Sequence, residues 1–413
     1  MSSTPETARE RVPGYSWYAL AVLTAVYVLN FLDRQLMYIL LAPIKTEMGF
    51  TDLQLSALGA GAFVIFYTLL GVPFGRLADR VSRKMMIGAG LAVWSLFSGL
   101  TGFADSFWTI FLCRLMVGVG EATLGPAALS LLSDYFPARV RATVQSIYSA
   151  GIAIGGGMAF FLGGWIGQVY GWRWAFYLLG FPGLLLAVLV FTLREQPRGY
   201  SDAAAAAAPA RDDWRALFRS RPMIYLLFGY ALFGLAANNL GIWGGIFYVR
   251  VHKVSLMTVG TAAGIISILV GIPSMILGGY FADRFRRISP GGRMAFTAAA
   301  AAISVPLWIG LLTITNLTLL VAVNVVLYGL ALMWVGPATA DVTDIAGPNL
   351  RGFAIGVTFS MVNISSYLVG SMTVGKLSDV YGLQNALLIC PVACAAGAVL
   401  LWMGSRARQN LPS

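Results

Sequence analysis

Gly75-Arg-Leu-Ala-Asp79-Arg80 closes one long apolar run, and Gly279-Tyr-Phe-Ala-Asp283-Arg284 closes another 204 residues later. A second pair of motifs keeps the same order: Gly125-Pro126 with Pro137 returns as Gly336-Pro337 with Pro348, 211 residues on. Repetition at so long a period means that one folding unit is present twice in the chain. The sequence between the echoes, a succession of apolar runs, sets what each copy contains.

Twelve of these runs can cross a hydrocarbon core about 30 Å thick, which takes about 20 residues of helix. They cover approximately 17–41, 53–76, 84–103, 108–132, 142–167, 174–193, 223–249, 257–281, 294–314, 319–340, 352–376 and 385–403. Six spans separate each motif from its echo, and six is even, so the copies share one orientation: a parallel repeat about an axis normal to the membrane. The fold expected is an all-α membrane protein of twelve helices around a central cavity. Residues 1–193 form a six-helix bundle with a short cytoplasmic N-terminus, 194–221 a cytoplasmic linker, and 222–413 a second six-helix bundle with a short cytoplasmic tail. The linker holds the run Ala203 to Ala208 and six arginines. It reads as a passive connector or as an amphipathic segment on an anionic leaflet; alanine's small contribution to burial favours the connector.

Composition excludes other classes. Of 413 residues 58% are hydrophobic and 11% charged, with a mean hydropathy of +0.77, against about 25% charged in soluble proteins. The net charge of +11 would suit nucleic acid were it not distributed so unevenly. Of 28 lysines and arginines, 21 lie on the side of the termini, 5 in the opposite loops, and Arg34 and Arg114 within spans. This positive-inside pattern places both termini in the cytoplasm and removes the case for a nucleic-acid partner; a bacterial inner membrane is the expected location. The N-terminal segment lacks a short apolar core with a small-residue cleavage site, so the first span is expected to serve as the targeting signal. Cys113, Cys390 and Cys394 lie in apolar runs and offer neither a disulfide framework nor a metal site. With no intramembrane histidine, metal-ligand cluster or Walker-type loop, no enzyme activity, cofactor, metal or ATP coupling is expected. A channel or receptor would not need mirrored loops.

Charges inside spans are costly, each about 2.5–3.5 kcal/mol at mid-bilayer on insertion scales, and must face protein or water. In the first span Tyr27, Asn30, Arg34 and Tyr38 fall along one helical line with Asp33 beside them; in the fourth, Arg114, Gly118, Glu121 and Gly125 do the same. Facing each other, the stripes bring Arg114 to Asp33 and Arg34 to Glu121. With the first span ending near Leu41, Asp33 and Arg34 are expected about 10 Å below the outer surface. Desolvation and an adjacent arginine push a carboxyl's proton affinity in opposite directions, so a change of water access between conformations would alter it. That makes Asp33, Glu121, Arg34 and Arg114 the candidate proton-coupling set; the alternative is a pair of static salt bridges.

The second half offers neutral polar groups instead: Asn238, Asn239 and Trp243 in the seventh span, Asn324 and Tyr328 in the tenth, and Asn363, Ser366 and Tyr367 in the eleventh. Together with Tyr27, Asn30 and Tyr38 they are the candidate substrate pathway, and the asymmetry suits a substrate with a polar head and an apolar body. Asp341 and Asp344 read as interfacial and His252 as a solvated loop residue. Five Gly-x3-Gly pairs, beginning at Gly71, Gly151, Gly241, Gly260 and Gly352, have close-packing spacing, compatible with helices that slide or rock.

The run Gly71-Val-Pro-Phe-Gly75-Arg76-Leu-Ala-Asp79-Arg80-Val-Ser-Arg83-Lys84, with its echo, resembles the cytoplasmic loop motif of the major facilitator superfamily, and Gly171-Trp-Arg-Trp-Ala-Phe176 is similar to another recurring piece of it. Within that superfamily, Asn30-Phe-Leu-Asp33-Arg34 and Arg114-Leu-Met-Val-Gly118-Val-Gly120-Glu121-Ala122 resemble the spinster branch, associated with export of lysophospholipids and sphingolipids. The resemblance implies a secondary active, monomeric transporter working by alternating access, with the proton as coupling ion and a small amphipathic lipid as substrate. Related carriers of sugars, organic anions or drugs supply the alternative. It also implies a cytoplasmic gate in which Asp79 meets the eleventh helix and Arg80 or Arg83 pairs with Asp134. Asp283 and Arg284 are the counterparts in the second half.

Overall fold

The computed structural model describes residues 12–78, 80–197 and 214–409. All regular structure among the described residues is helical. Among the described residues eleven helices, from Gly14–Met48 to Leu383–Gln409, are long and apolar enough to cross a membrane. The fourth crossing is divided into Phe107–Glu121 and Leu124–Tyr135, 15 and 12 residues, neither of which spans alone. The division falls directly after Glu121, and Gly125-Pro126 stands in the first turn of the new helix, where proline's missing N–H costs no hydrogen bond. The tenth crossing breaks in the same way, Leu317–Leu332 giving way to a helix that begins at Val335, with Gly336-Pro337 in its first turn. The repeated motif thus encodes a repeated break. The second, eighth and eleventh crossings each contain a π-turn, at Ala57–Gly61, Ser267–Gly271 and Ile364–Gly370, a distortion often found where helices serve function.

The first span runs seven residues beyond its expected end, to Met48, and includes Pro43. Gly49 closes it in the left-handed conformation (φ 69°), donating its N–H to the Lys45 carbonyl, and a Thr51–Gln54 capping box opens the second span. Asp33 therefore lies about 22 Å from that end of the helix at ~1.5 Å per residue, farther from it than the sequence spacing predicts.

Two of the five glycine pairs pack closely. A methyl group on Gly155 would run into the Val28 carbonyl of the first span, and one on Gly164 would come within 2.9 Å of Gly260 Cα, backbone to backbone between the fifth and eighth spans. Gly71, Gly75 and Gly356 have nothing within 4 Å, so the spacing there does not mark a helix contact. One buried apolar cluster, with Phe63, Trp94 and Leu131, belongs to the first half; another, with Tyr38, Trp172 and Trp243, joins both halves. Large apolar side chains cover the outside, Trp108 being 73% and Leu185 75% exposed, a surface suited to lipid. The protein is an integral multi-pass membrane protein.

One expectation changes and another is refined. Asp341 lies toward the end carrying the termini, near Arg293 and Arg408, but is buried and accepts a hydrogen bond from the Tyr230 hydroxyl at 3.1 Å. His252 is half-buried, its ring edge-on to Phe247 with centroids 5.1 Å apart, and burial pushes its imidazole below the ordinary value. The linker's alanine run lies outside the described residues. Its first residues dock on the first half, the Arg194 N–H donating to Tyr15 Oη at 2.8 Å.

Candidate functional site

The four charges inside the spans converge, though not entirely as the spacing predicts. Arg34 Nη2 reaches Glu121 Oε2 at 2.8 Å, as expected. The guanidinium also lies over the rings of Phe63, Tyr67 and Phe31, 4.6, 4.9 and 5.0 Å from their centroids. Such desolvated cation–π contacts, worth up to about 2 kcal/mol, help a buried cation with a single carboxylate partner. Asp33, fully buried, turns instead to the third span, where Ser98 Oγ donates to Oδ1 at 2.8 Å. Arg114 Nη1 reaches only the main-chain carbonyl of Asp33, at 3.5 Å. The expected Asp33–Arg114 ion pair is thus replaced by a serine and a carbonyl, because the Asp33 carboxylate is turned to the third span.

Formal charges in this lattice cancel, yet its hydrogen-bonding capacity is unfilled. Asp33 Oδ2, Glu121 Oε1, Arg34 Nε, Arg114 Nε and Arg114 Nη2 are buried without a partner. Buried polar groups are normally satisfied, and these five atoms of the lattice are exceptions to that rule. Asn30 sits against Glu121, whereas Tyr27 stacks on Tyr148 with centroids 4.2 Å apart and belongs to helix packing.

Beside the lattice is a cavity of about 220 Å³, walled by the first, fifth, seventh, eighth, tenth and eleventh spans. Tyr38, Asn238, Asn324, Tyr328 and Tyr367 line it as expected, and Gln35, adjacent in sequence to Arg34, joins them. Asn239 does not: its amide donates to the main-chain carbonyls of Leu235 at 2.8 Å and Ser366 at 3.2 Å, tying the seventh span to the eleventh. Ser366 and Trp243 are fully buried in that packing and Asn363 lies off the wall. The remaining wall is largely apolar, including Val259, Ala263 and Val321.

At the end carrying the termini, polar clusters brace each half separately. Arg83, buried, pairs with Asp134 and, at 2.9 Å, with Glu195, and donates to Ser130 Oγ at 3.0 Å, linking the third, fourth and sixth spans. Its counterpart is Arg293, unremarked in the sequence, which holds Asp283 and Asp344, each at 2.8 Å. Arg80 and Arg284 are exposed, and Asp79 lies outside the described residues. Burial pushes Glu195 up, but the Lys84 N–H, Arg83 and Ser82 donating to it pull harder, and its carboxyl falls below the ordinary glutamate value of about 4.3. A depressed carboxyl stabilises the fold above its unfolded pKa and loses that contribution as pH falls through the folded one. The Tm gap between wild type and Glu195→Gln is therefore expected to be full at neutral pH and to shrink below about pH 4; a gap independent of pH would contradict it.

The halves are clasped at the opposite end by residues the sequence reading missed. Asp52, 1% exposed, accepts from Lys45, from Arg250 Nη1 at 2.7 and 2.9 Å, and from Ser378 Oγ. Asp379 caps the second span from the other half, accepting the Asp52 and Leu53 N–H groups at 2.7 and 3.0 Å. Ser56 Oγ donates to the Ser371 carbonyl at 2.9 Å. Among the described residues no cluster of three or more histidine, cysteine or acidic side chains could hold a metal.

Twelve crossings in two like-oriented halves around a cavity are the architecture of a membrane transporter. The pattern of the Major Facilitator Superfamily matches residues 23–370, and the chain belongs to that family. It is 26% identical to an MFS-type efflux pump of Mycolicibacterium smegmatis, over 97% of this chain and 95% of that protein. To protein spinster homolog 1 of Bos taurus it is 27% identical, over 93% of this chain and 79% of the relative. The crystal structure of a bacterial homolog of the human lysosomal transporter spinster, inward-facing and unoccupied, matches with a TM-score of 0.87 at 24% identity, over 97% of this chain and 99% of that one. Within the superfamily the chain resembles the spinster branch.

Proposed function

We propose that the protein moves an amphipathic, lipid-like molecule of the lysophospholipid or sphingolipid class outward in exchange for protons, by alternating access. The observation that carries this reading is the junction of an unsaturated charge lattice in one half with a largely apolar cavity between the halves, meeting at Gln35 and Tyr38. Protonation of Glu121 would release Arg34 to a polar headgroup; departure of the headgroup would let Arg34 and the carboxylate pair again. Asp33, held by Ser98, is the second acid of the set, and Arg114 the second cation. Occupancy by proton or by substrate then biases the conformational equilibrium through its different affinity for the two states.

In this reading residues 1–193 and 222–413 are the rocking bundles and 194–221 their connector. The termini face the cytoplasm of a bacterial inner membrane, the protein acts as a monomer, and the clasped end is the outer one. Arg83 with Asp134 and Arg293 with Asp283 keep each bundle rigid, while Asp79, Arg80 and Arg284 act at the inner gate. The partnerless N–H groups of Arg114 favour a small organic anion as the second reading. Purified protein in liposomes with an imposed pH gradient separates the two. Lysolipid flux accelerated by the gradient is the expected result. Flux of small anions alone would replace the first reading with the second, and flux indifferent to the gradient would remove the coupling.

A further inference from the structure

Helix-interior glycine is destabilising relative to alanine, so a cluster of glycines in one span asks what uses the space. Elsewhere on the seventh span the answer is packing: a methyl group on Gly229 would come within 2.7 Å of Leu401 Cγ, and one on Gly234 within 2.6 Å of Val362 Cγ1. Gly241, Gly244 and Gly245 are different. A methyl group on Gly241 would meet nothing within 4 Å, one on Gly244 only Leu240 of its own helix at 3.9 Å, and one on Gly245 only Ile39 Cδ1, at ordinary contact distance. All three line the cavity, so they keep open a space that no protein atom fills.

A second observation points to an occupant. Tyr248, on the same helix and 91% buried, lines the cavity with its hydroxyl unpartnered, and so does Gln35 with its amide oxygen. Gln35 stands beside Arg34 of the charge lattice and Tyr248 lies ten residues along the seventh span from Asn238, so the two orphaned groups mark separate parts of a wall that is otherwise mostly apolar.

We propose that the face of the seventh span cut back at Gly241, Gly244 and Gly245 seats the apolar chain of the substrate and sets the longest chain the transporter accepts. This rests on the reading that the substrate is amphipathic. The headgroup end lies at Gln35, next to Arg34, and the chain runs along the glycine face. Gly245 lies against Ile39, one turn beyond Gln35, so bulk added at Gly245 shortens the seat from its far end. Excluding two methylenes costs about tenfold in affinity.

The test uses full-length protein in nanodiscs, with Cys113, Cys390 and Cys394 replaced by alanine and Gly244→Cys as the reporter. Protection of that thiol from alkylation is titrated with n-alkyl maltosides of increasing chain length, below micelle-forming concentrations. Protection is expected to strengthen with chain length, and adding Gly245→Leu is expected to weaken it about tenfold for the longest chain while leaving the shortest nearly unchanged. Gly245→Ala, whose methyl group meets only Ile39 Cδ1 at ordinary contact distance, guards against misfolding: its Tm does not fall and its cutoff is intermediate. Protection that is absent at every length, or unchanged by Gly245→Leu, overturns the proposal. So does a uniform slowing of transport at all lengths with protection intact, which would assign the glycines to helix motion. Because maltosides report on the seat alone, protection without lysolipid flux would refute the lipid-export reading and keep the seat. Lysolipid flux without protection would do the reverse.

Discussion

Replacing Glu121 with glutamine is expected to abolish the acceleration of transport by a pH gradient, leaving the rate at the level measured without one. Glutamine preserves shape and one acceptor but neither ionises nor carries the charge that faces Arg34 at 2.8 Å. Removing one partner of a buried pair costs about 3–5 kcal/mol when nothing replaces it. Here the retained acceptor and the rings of Phe63, Tyr67 and Phe31 cushion the guanidinium, so the variant should fold and still exchange substrate across the membrane at equal pH. Flux in liposomes with and without the gradient measures both. Undiminished proton-driven transport in Glu121→Gln and in Asp33→Asn alike would reduce the lattice to a static brace.

The second large effect is expected at the clasp. Asp52→Ala removes the acceptor shared by Lys45, Arg250 and Ser378 and leaves two cations without it. Truncating one member of a buried, hydrogen-bonded charge pair costs about 2–5 kcal/mol. Lys45 and Arg250 are about a third exposed, which argues for the lower figure, or roughly 30-fold in the equilibrium between states. That end of the molecule should open: a thiol placed at Ser378 should react with a membrane-impermeant reagent far faster in Asp52→Ala than in its parent. Equal reactivity would mean that the apolar cluster, not the polar clasp, holds the halves together.

Much of this was legible in the sequence. Two echoes at nearly one period gave the parallel halves, and the spacing of Arg34 and Glu121 on their helices gave their meeting. Spacing does not give the rotation of a side chain, which is why Asp33 was assigned to Arg114 and lies on Ser98. Nor does it tell which of two neighbours faces a cavity: Asn238 lines it and Asn239, about 100° around the helix, ties two spans together. Arg293 escaped notice because its partner Asp344 is one residue out of register with Asp134 at a period of 211. The clasp was least legible, joining residues up to 327 positions apart. Its only local signs were the Thr51–Gln54 capping box and acids at the ends of two spans.

The backbone contact of Gly164 with Gly260 bears on speed. Helices with interlocked side chains change crossing angle by lifting ridges out of grooves, and each side chain must pass through strained rotamers. Where two main chains touch directly there are few ridges to lift. Along that one line the halves can turn with little unlocking of side chains, so resistance to reorientation has to come from elsewhere, from the polar clasp and from the apolar cluster that joins both halves.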